Sequence, residues 1–272
     1  MKDALVVSLL SAVPKNRAAR GMGALARLRL PRWAHLLLIR WFARRYGVDL
    51  DECDRPLGDY ATFADFFVRG LPPGARPVDV AENAFVSPCD GRVHTISTIA
   101  GGRFHQADGH EASISRLLGA DVPDGGTCAV LYLAPHNYHR VHAPCAARVQ
   151  AVDYRPGKLW PVFPGATTRV PELFGNNERL VFWLTRGELT FAEVMVGAYG
   201  VGRISTPLDA IVTNTGRPAV RIGLDHPVEA GEEIGTFGLG STVILVTPPG
   251  AVTYDVKPGD ILRMGQRIAR LS

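Results

Sequence analysis

A glycine–serine bond near the C-terminus is the feature of this sequence that most directly indicates chemistry. Gly240 and Ser241 lie between two apolar segments. Glycine leaves its carbonyl without a side-chain shield, and a serine hydroxyl attacks the preceding carbonyl when a base removes its proton. The resulting ester can eliminate to dehydroalanine, which hydrolyses to a pyruvoyl group and ammonia. The pair therefore suggests self-cleavage that creates a carbonyl electron acceptor, with an ordinary Gly-Ser turn as the alternative.

Two other segments carry the groups that a nucleophilic serine needs. Asp90 lies in the turn-forming sequence Ser-Pro-Cys-Asp-Gly at 87–91, and His139 and His142 lie three residues apart. A serine requires a base, and the base requires a partner on its second nitrogen. An aspartate, a histidine and Ser241 could supply this set, whereas an Asp-Gly hairpin turn and packed histidines are the alternatives. The Gly-x-Ser-x-Gly motif of α/β-hydrolases is absent around Ser241.

Length and composition place the chain among globular proteins. Its 272 residues suffice for one large domain or two small ones. The 29 glycines and 20 prolines favour short strands and turns over a helical bundle. The chain has four cysteines, which are Cys53, Cys89, Cys128 and Cys145. They show no close pair and no metal-ligand spacing, so we expect reduced, packed thiols in a cytosolic compartment and no metal site.

Positive charge is concentrated at the N-terminus. Residues 1–50 contain ten basic and two acidic residues and carry +8, whereas the whole chain carries +4. This imbalance indicates an anionic partner for that segment, either nucleic acid or anionic lipid. A helix starting near Pro31 would combine tryptophan, leucine and arginine as at a membrane interface, and docking on the body is the alternative. The proposed membrane-binding residues are Trp33, Leu37, Arg40, Trp41 and Arg44.

No segment is expected to span a membrane. Residues 4–13 are apolar but too few, and no small-residue cleavage site follows them, although a signal peptide is the competing interpretation. Arg40 interrupts the apolar segment 33–43.

The order of patterns predicts an α+β fold. Helical patterns fill the first seventy residues, including a short helix with Thr62 near its cap and Phe63, Phe66 and Phe67 at core spacing. A proline- and glycine-rich segment, 71–77, ends this part. Short β segments follow at 128–133, 147–152, 180–184, 189–196, 219–222 and 242–246.

This order predicts a helical, basic, membrane-associating region over 1–78 and a β-rich catalytic body over 79–272. Segments 228–235 and 256–262 echo each other as strand, Gly-acid turn and strand. Such hairpins occur in lipoyl and biotinyl carriers, so the body is predicted to be sandwich- or barrel-like.

Six segments, in this order, resemble the bacterial type of phosphatidylserine decarboxylase. They are Phe-Phe-Val-Arg-Gly-Leu at 66–71 with Ala-Arg-Pro at 75–77, 87–91, 138–142, Leu-Phe-Gly-Asn-Asn-Glu-Arg at 173–179, 196–198 with 201–202, and 233–235 leading to Leu-Gly-Ser-Thr at 239–242. The sequence departs from the family pattern at Tyr199-Gly200, where a Thr-Asn-like pair is expected, and at Ala230, where lysine is common. These departures bear on the substrate site rather than on Asp90, His142 and Ser241.

The resemblance implies a self-processing, pyruvoyl-dependent enzyme. Asp90 would orient His142, and His142 would activate Ser241 for attack on Gly240. Cleavage would give a large chain, 1–240, and a small chain, 241–272, beginning with the pyruvoyl cofactor. That group would form a Schiff base with phosphatidylserine and release carbon dioxide and then phosphatidylethanolamine. His139 would donate a proton or contact the substrate carboxylate.

The resemblance also bears on partners and location. An anionic lipid substrate implies a peripheral protein on the cytoplasmic face of the cell membrane, with the basic helices on the anionic membrane surface. The two chains of one precursor would remain partners, a homodimer is an open alternative, and no nucleic acid is expected. Competing functions are decarboxylation of a soluble amino acid, an uncut membrane-binding β module, and nucleic-acid binding.

Overall fold

The computed structural model describes residues 15–199, 203–238 and 241–272, and the side chains from residue 16 onward. The apolar segment 4–13, Gly200 of the Tyr-Gly departure, residues 201–202 of the fifth motif, Leu239 of the last motif and Gly240 of the proposed cleavage site lie outside the described residues. Ser241 lies inside them.

The N-terminal part is helical, as predicted. It contains helices α1 (Lys15–Ala26), α2 (Arg32–Tyr46) and α3 (Phe63–Phe67), with a 3₁₀ turn at Leu57–Asp59. Pro31 precedes α2 as its N-cap, and α2 ends at Gly47, whose left-handed backbone donates to the carbonyl of Ala43. The Thr62 side chain caps α3 by accepting from the Asp65 amide.

One face of α2 packs onto α3. The buried side chains on that face include Ile39 and Phe42, and Phe42 contacts the rings of Phe66 and Phe67 edge-on. The predicted packing role of the α3 phenylalanines is therefore confirmed. The opposite face of α2 is exposed.

The rest of the chain is dominated by strands. They are β1 (Ala84–Val86), β2 (Gly91–Thr98), β3 (Arg103–Ala107), β4 (His110–Ser113), β5 (Thr127–Leu133), β6 (Arg140–His142), β7 (Ala147–Arg155), β8 (Arg179–Arg186), β9 (Leu189–Gly197), β10 (Ile204–Thr206), β11 (Asp209–Val212), β12 (Val220–Val228), β13 (Glu233–Phe237), β14 (Ser241–Thr247), β15 (Val252–Tyr254), β16 (Ile261–Leu262) and β17 (Arg267–Leu271). Three short helices interrupt them: α4 (Ile114–Leu118), α5 (Pro164–Thr167) and α6 (Leu173–Asn176). Each predicted β segment lies within a strand, except that residue 219 precedes β12.

The strands form antiparallel sheets rather than a closed barrel in the described part of the chain. The largest sheet has the order β12-β7-β8-β9-β14-β5-β2-β16. A second sheet has the order β11-β10-β13-β6, and a third joins β1, β17 and β15. The α+β class is confirmed, and the body consists of stacked open sheets.

Strand β14 lies deep in the largest sheet, between β5 and β9. Its side chains alternate between two hydrophobic clusters: Val243 and Leu245 belong to one, and Ile244 and Val246 to the other. Burial on both faces explains why this strand reads as a continuous apolar run rather than as an alternating pattern.

The two echoed segments are not hydrogen-bonded hairpins. β12, before the turn at Gly231, pairs with β7, whereas β13, after that turn, pairs with β6 and β10. β15, before the turn at Gly259, pairs with β17, whereas β16, after that turn, pairs with β2. Each glycine has a positive φ that suits a tight reversal. The local pattern thus identifies the turn, while burial of each strand's apolar face selects a partner in a different sheet.

No helix among the described residues combines the length and the apolar character needed to cross a membrane. The boundary between a region 1–78 and a body 79–272 stays a prediction.

Candidate active site

Ser241 is the first residue of β14 and is completely buried. It is paired with Leu133 of β5 on one side and Gly197 of β9 on the other. Its Oγ has no hydrogen-bond partner among the described residues. Thr242 and Thr247 of the same strand share that property, so the unpaired hydroxyl alone does not single out Ser241. Its position at the strand end, directly after Gly240, distinguishes it.

The strand end opposite Ser241 is held by polar side chains. Asn177 Nδ2 donates to the carbonyl of Gly197 over 2.9 Å, and Asn177 Oδ1 accepts from the Trp160 amide. The Gly197 amide donates to the carbonyl of Glu178. Because both groups of Gly197 are engaged, the backbone that borders Ser241 has little freedom to move. Sequence reasoning included Asn177 and Glu178 in a motif but gave them no role.

His139 lies beside the chain segment that leads to Ser241. The turn after β5 begins at Leu133, which pairs with Ser241, and returns at His139, whose carbonyl accepts from the Phe237 amide over 3.0 Å. Phe237 and Ser241 are thus held at the two ends of one short turn, Phe237 by His139 and Ser241 by Leu133. The imidazole is fully buried against the ring of Phe67, 4.3 Å away between centroids.

The hydrogen bonds of His139 assign its tautomer. Nδ1 lies 2.7 Å from the carbonyl of Asn137, which can only accept, so Nδ1 carries the proton. Nε2 has no partner among the described residues. Burial lowers the pKa of His139 to about 3. The ring is therefore neutral near pH 7 and presents an unused lone pair on Nε2.

His142 has both ring nitrogens engaged. Nδ1 donates to the carbonyl of Gly231 over 2.8 Å, and Nε2 accepts from the Tyr138 hydroxyl over 3.1 Å. Burial lowers the pKa of His142, and the Gly231 carbonyl and the charges of Glu233 and Asp90 partly offset that shift. For His142 to accept a proton on Nε2, the hydroxyl of Tyr138 must turn away. Tyr138 is a neighbour that sequence reasoning did not assign, although it belongs to the same motif.

Asp90 is bound to an arginine rather than to a histidine. Arg76 Nη2 donates to Asp90 Oδ2 over 2.6 Å, and the Met264 amide donates to Asp90 Oδ1 over 2.8 Å. Arg76 also pairs with Glu52. Hydrogen bonds to Asp90 are the largest of the influences that raise the pKa of Arg76. No hydrogen bond joins Asp90 to His142 in the part of the chain that is described, so the predicted orienting role of Asp90 stays a prediction.

Three contacts connect α3 and the two residues after it to the segment 136–140. Arg69 Nη2 donates to the carbonyl of His136, and Arg140 Nε donates to the carbonyl of Val68. With the contact between Phe67 and His139, these bonds tie α3 to the turn that carries the histidines.

Within the described residues, no group of histidine, cysteine, aspartate or glutamate side chains could hold a metal ion.

The predicted membrane-binding residues lie on the outer face of α2. Trp33, Leu37 and Trp41 are 70%, 61% and 60% exposed, and Arg40 and Arg44 are also exposed. Leu25 of α1 and Leu28 and Leu30 between α1 and α2 are also exposed. Exposed tryptophans and leucines at this density are rare on a purely water-facing surface.

Comparison with known proteins gives consistent results. The family model described as phosphatidylserine decarboxylase matches residues 63–270. A phosphatidylserine decarboxylase proenzyme of Myxococcus xanthus (strain DK1622) is 41% identical, covering 98% of this chain and 99% of that protein. The proenzyme of Anaeromyxobacter sp. (strain K) is 43% identical over 98% of each chain. That of Saccharophagus degradans is 39% identical over 100% of this chain and 99% of its own.

Removal of the Arg76 guanidinium should destabilise the fold, because it leaves the Asp90 carboxylate buried without a counter-charge. We expect Arg76→Met to lower the free energy of unfolding by about 3–5 kcal/mol. Denaturant titration in a Ser241→Ala background, which avoids any chain break at that serine, measures this loss.

The matched control is Arg263→Met, because Arg263 also approaches Glu52 but is exposed. Its effect should stay within about 0.5 kcal/mol. Adding Asp90→Asn to Arg76→Met should recover part of the loss. Equal effects of Arg76→Met and Arg263→Met would show that the buried ion pair does not stabilise this site.

Proposed function

This chain belongs to the phosphatidylserine decarboxylase family of carboxy-lyases, and on that premise we propose that it makes its own pyruvoyl group from Ser241 and uses it to convert phosphatidylserine to phosphatidylethanolamine. The observation that carries this proposal is the position of Ser241. Its unpartnered hydroxyl lies at the first residue of a central strand, directly after a glycine.

Self-cleavage begins at the bond between Gly240 and Ser241. The Ser241 hydroxyl gives its proton to a base, its oxygen bonds to the Gly240 carbonyl carbon, and the carbon–nitrogen bond breaks as the nitrogen gains a proton. Elimination then moves the Cα proton of residue 241 to a base, forms the double bond between Cα and Cβ, breaks the bond between Cβ and oxygen and releases the Gly240 carboxylate. One water converts the remaining dehydroalanine into the pyruvoyl group and ammonia. No external oxidant or metal is required for this balance.

His142 is proposed as the base, with Asp90 as its orienting partner. A neutral imidazole at this position is supported by burial, which lowers the pKa of His142. The step requires that the Tyr138 hydroxyl leave Nε2, since that nitrogen now accepts its proton. Asp90 must act through the charge that it adds near His142, or exchange its bond to Arg76 for one to the imidazole.

His139 is proposed to move a proton during the reaction of the substrate. Its Nε2 is neutral, buried and unpaired, and its carbonyl is bonded to the chain that leads to Ser241. Contact with Phe67 limits the access of water to this ring.

The residues around Ser241 fit a pyruvoyl group. Leu133 and Gly197 pair with residue 241 and would hold its backbone in place. The Ser241 oxygen has no hydrogen-bond partner among the described residues, so none of them would have to be displaced when this oxygen reacts. When formed, the group supplies a carbonyl that accepts the electron pair left by departing carbon dioxide.

The two proposed chains would stay together after cleavage. The small chain, 241–272, would contain β14, β15, β16 and β17. In the structure β14 pairs with β5 and β9, β16 with β2, and β17 with β1. Asp90 of the large chain also accepts from Met264 of the small chain.

Association with an anionic membrane is proposed for helices α1 and α2. The support is the exposed set Trp33, Leu37 and Trp41, flanked by Arg40 and Arg44, within a segment of charge +8. Aromatic and aliphatic side chains would enter the headgroup boundary while arginines contact phosphates. This would place the enzyme as a peripheral protein on the cytoplasmic face.

Substitution Ser241→Ala should abolish activity, because alanine has no oxygen to attack Gly240 and cannot become a pyruvoyl group. Carbon dioxide release from phosphatidylserine in mixed micelles is expected to fall to background. Thr247→Val is the matched control, since it removes another buried, unpaired hydroxyl from β14. Activity retained by Ser241→Ala would refute the proposed cofactor.

Separate substitution of the two histidines should distinguish the residue needed for self-cleavage from the residue needed for decarboxylation. We expect His142→Ala to leave the chain uncut, and His139→Ala to permit cleavage but lower kcat by about 100-fold or more. Gel electrophoresis and carbon dioxide release measure the two steps. The reverse result, cleavage in His142→Ala and none in His139→Ala, would make His139 the base.

Replacing the exposed apolar residues of α2 should release the protein from membranes. The triple variant Trp33→Ser, Leu37→Ser and Trp41→Ser is expected to lose at least tenfold in vesicle binding, because each side chain contributes buried apolar area. Flotation with vesicles of phosphatidylserine and phosphatidylcholine measures it.

The control variant is Val80→Ser with Ile261→Ser, which removes exposed apolar side chains from other surfaces. Equal flotation of both variants and the natural protein would contradict membrane docking through α2.

A further inference from the structure

A cavity of about 360 Å³ lies between the membrane-facing helices and the strands that lead to Ser241. Its walls come from α1, α3, β6, β10 and β13, and Gly238, three residues before Ser241, also borders it. Its volume lies in the range of small-molecule sites, ~300–1,000 Å³. Its charged lining residues are Arg27, Asp65, Arg140, Arg203 and Glu233.

Arg140 and Glu233 neutralise each other in this cavity. Arg140 Nη1 donates to Glu233 Oε2 over 2.9 Å, while Thr236 donates to Glu233 Oε1. Arg140 Nε is also occupied, by the carbonyl of Val68. This pair therefore forms a wall whose hydrogen bonds are largely internal.

Arg27 and Arg203 differ from that pair, because both residues are exposed where they border the cavity. Neither guanidinium has a hydrogen bond or an ion pair with any described residue. They are close enough for the charge of Arg203 to add to burial in lowering the pKa of Arg27. Asp65 is the remaining carboxylate in the lining, and its side chain also forms no ion pair with the described residues. Three guanidiniums and two carboxylates give the lining a charge of +1, which favours an anion.

We propose that Arg27 and Arg203 bind the phosphate diester of the substrate lipid. The inference rests on the proposed function, since it assigns the headgroup of that substrate to this cavity. Two guanidiniums that have no partner among the described residues offer paired donors that match the geometry of phosphate oxygens. The net charge of −1 on a phosphatidylserine headgroup complements the +1 of the lining.

The position of the cavity gives the bound lipid a direction. Arg27 follows α1 directly and lies between Leu25 and Leu28, which are 66% and 52% exposed. Acyl chains would leave the cavity along that apolar surface toward the bilayer. Gly238 also borders the cavity, its amide donates to the carbonyl of Arg203 over 2.8 Å, and it lies three residues before Ser241. A phosphate held by the two arginines would thus place the serine part of the headgroup toward the cleavage site.

Binding to the uncut protein tests this assignment without depending on catalysis. In the Ser241→Ala background, we expect calorimetry to detect binding of glycerophosphoserine. Arg27→Gln or Arg203→Gln should weaken that binding by about 10- to 100-fold, because each variant loses a charge-assisted hydrogen bond. Arg29→Gln is the matched control, because Arg29 is exposed nearby but does not line the cavity. Binding unchanged in the double variant Arg27→Gln/Arg203→Gln would overturn the proposal.

Inorganic phosphate distinguishes a headgroup site from a general anion site. We expect it to bind at least tenfold more weakly than glycerophosphoserine, because it cannot reach the serine end of the cavity. Equal affinity that both arginine variants abolish would overturn the assignment to the lipid and leave a free-phosphate site.

Kinetics separate this assignment from the proposed function. With a soluble, short-chain phosphatidylserine, Arg27→Gln and Arg203→Gln should raise KM about 10- to 100-fold while cleavage of the chain and kcat stay within about twofold. An unchanged KM in cleaved, active variants overturns the phosphate site alone. Failure of the natural protein to decarboxylate, with calorimetric binding intact, overturns the proposed function and leaves the phosphate site standing.

Discussion

The burial of β14 between β5 and β9 is the constraint on which the rest of this structure depends. The strand starts at Ser241, so the backbone after that residue is held on both sides by antiparallel ladders. Its side chains join two hydrophobic clusters, one on each face of the sheet. A chain break directly before Ser241 would therefore leave the sheet intact. The proposed chemistry needs this arrangement, because the new chain end must stay where the precursor bond was.

The polar side chains around Ser241 are either neutral or bound in an ion pair. Burial keeps His139 and His142 neutral near pH 7, and Asp90 is compensated by Arg76. The helical part contributes directly, since Phe67 packs on His139 and Val68 accepts from Arg140. The surface proposed to meet the membrane and the turn that carries the histidines are thus linked by α3. In the proposed arrangement, substrate arriving from the bilayer would pass Arg27 and Arg203 on its way to the cleavage site.

Much of the fold follows from sequence patterns, whereas the partners of the site residues do not. Strands β5, β8, β9 and β14 were predictable, since apolar runs bounded by turn residues have few other structures. Helix α2 and its exposed tryptophans were predictable from the spacing of Trp33, Leu37 and Trp41. The partners of β12, β13, β15 and β16 were not, because a strand's local pattern does not name the sheet that covers it. The bonds from Arg76 to Asp90 and from Tyr138 to His142 were likewise missed. Arg76 and Tyr138 both lie in motifs that are visible in the sequence. Their hydrogen-bond partners were not predictable, because these depend on the three-dimensional placement of the side chains.

The most direct test of self-cleavage at Ser241 is the intact mass of the purified, denatured protein. We expect two species, residues 1–240 and residues 241–272, with the small one lighter by one ammonia than a fragment that begins with serine. That mass defect would identify the pyruvoyl group and the broken bond together. A single species with the mass of the whole chain, in a preparation that decarboxylates phosphatidylserine, would contradict the account. So would a small chain that retains its N-terminal serine.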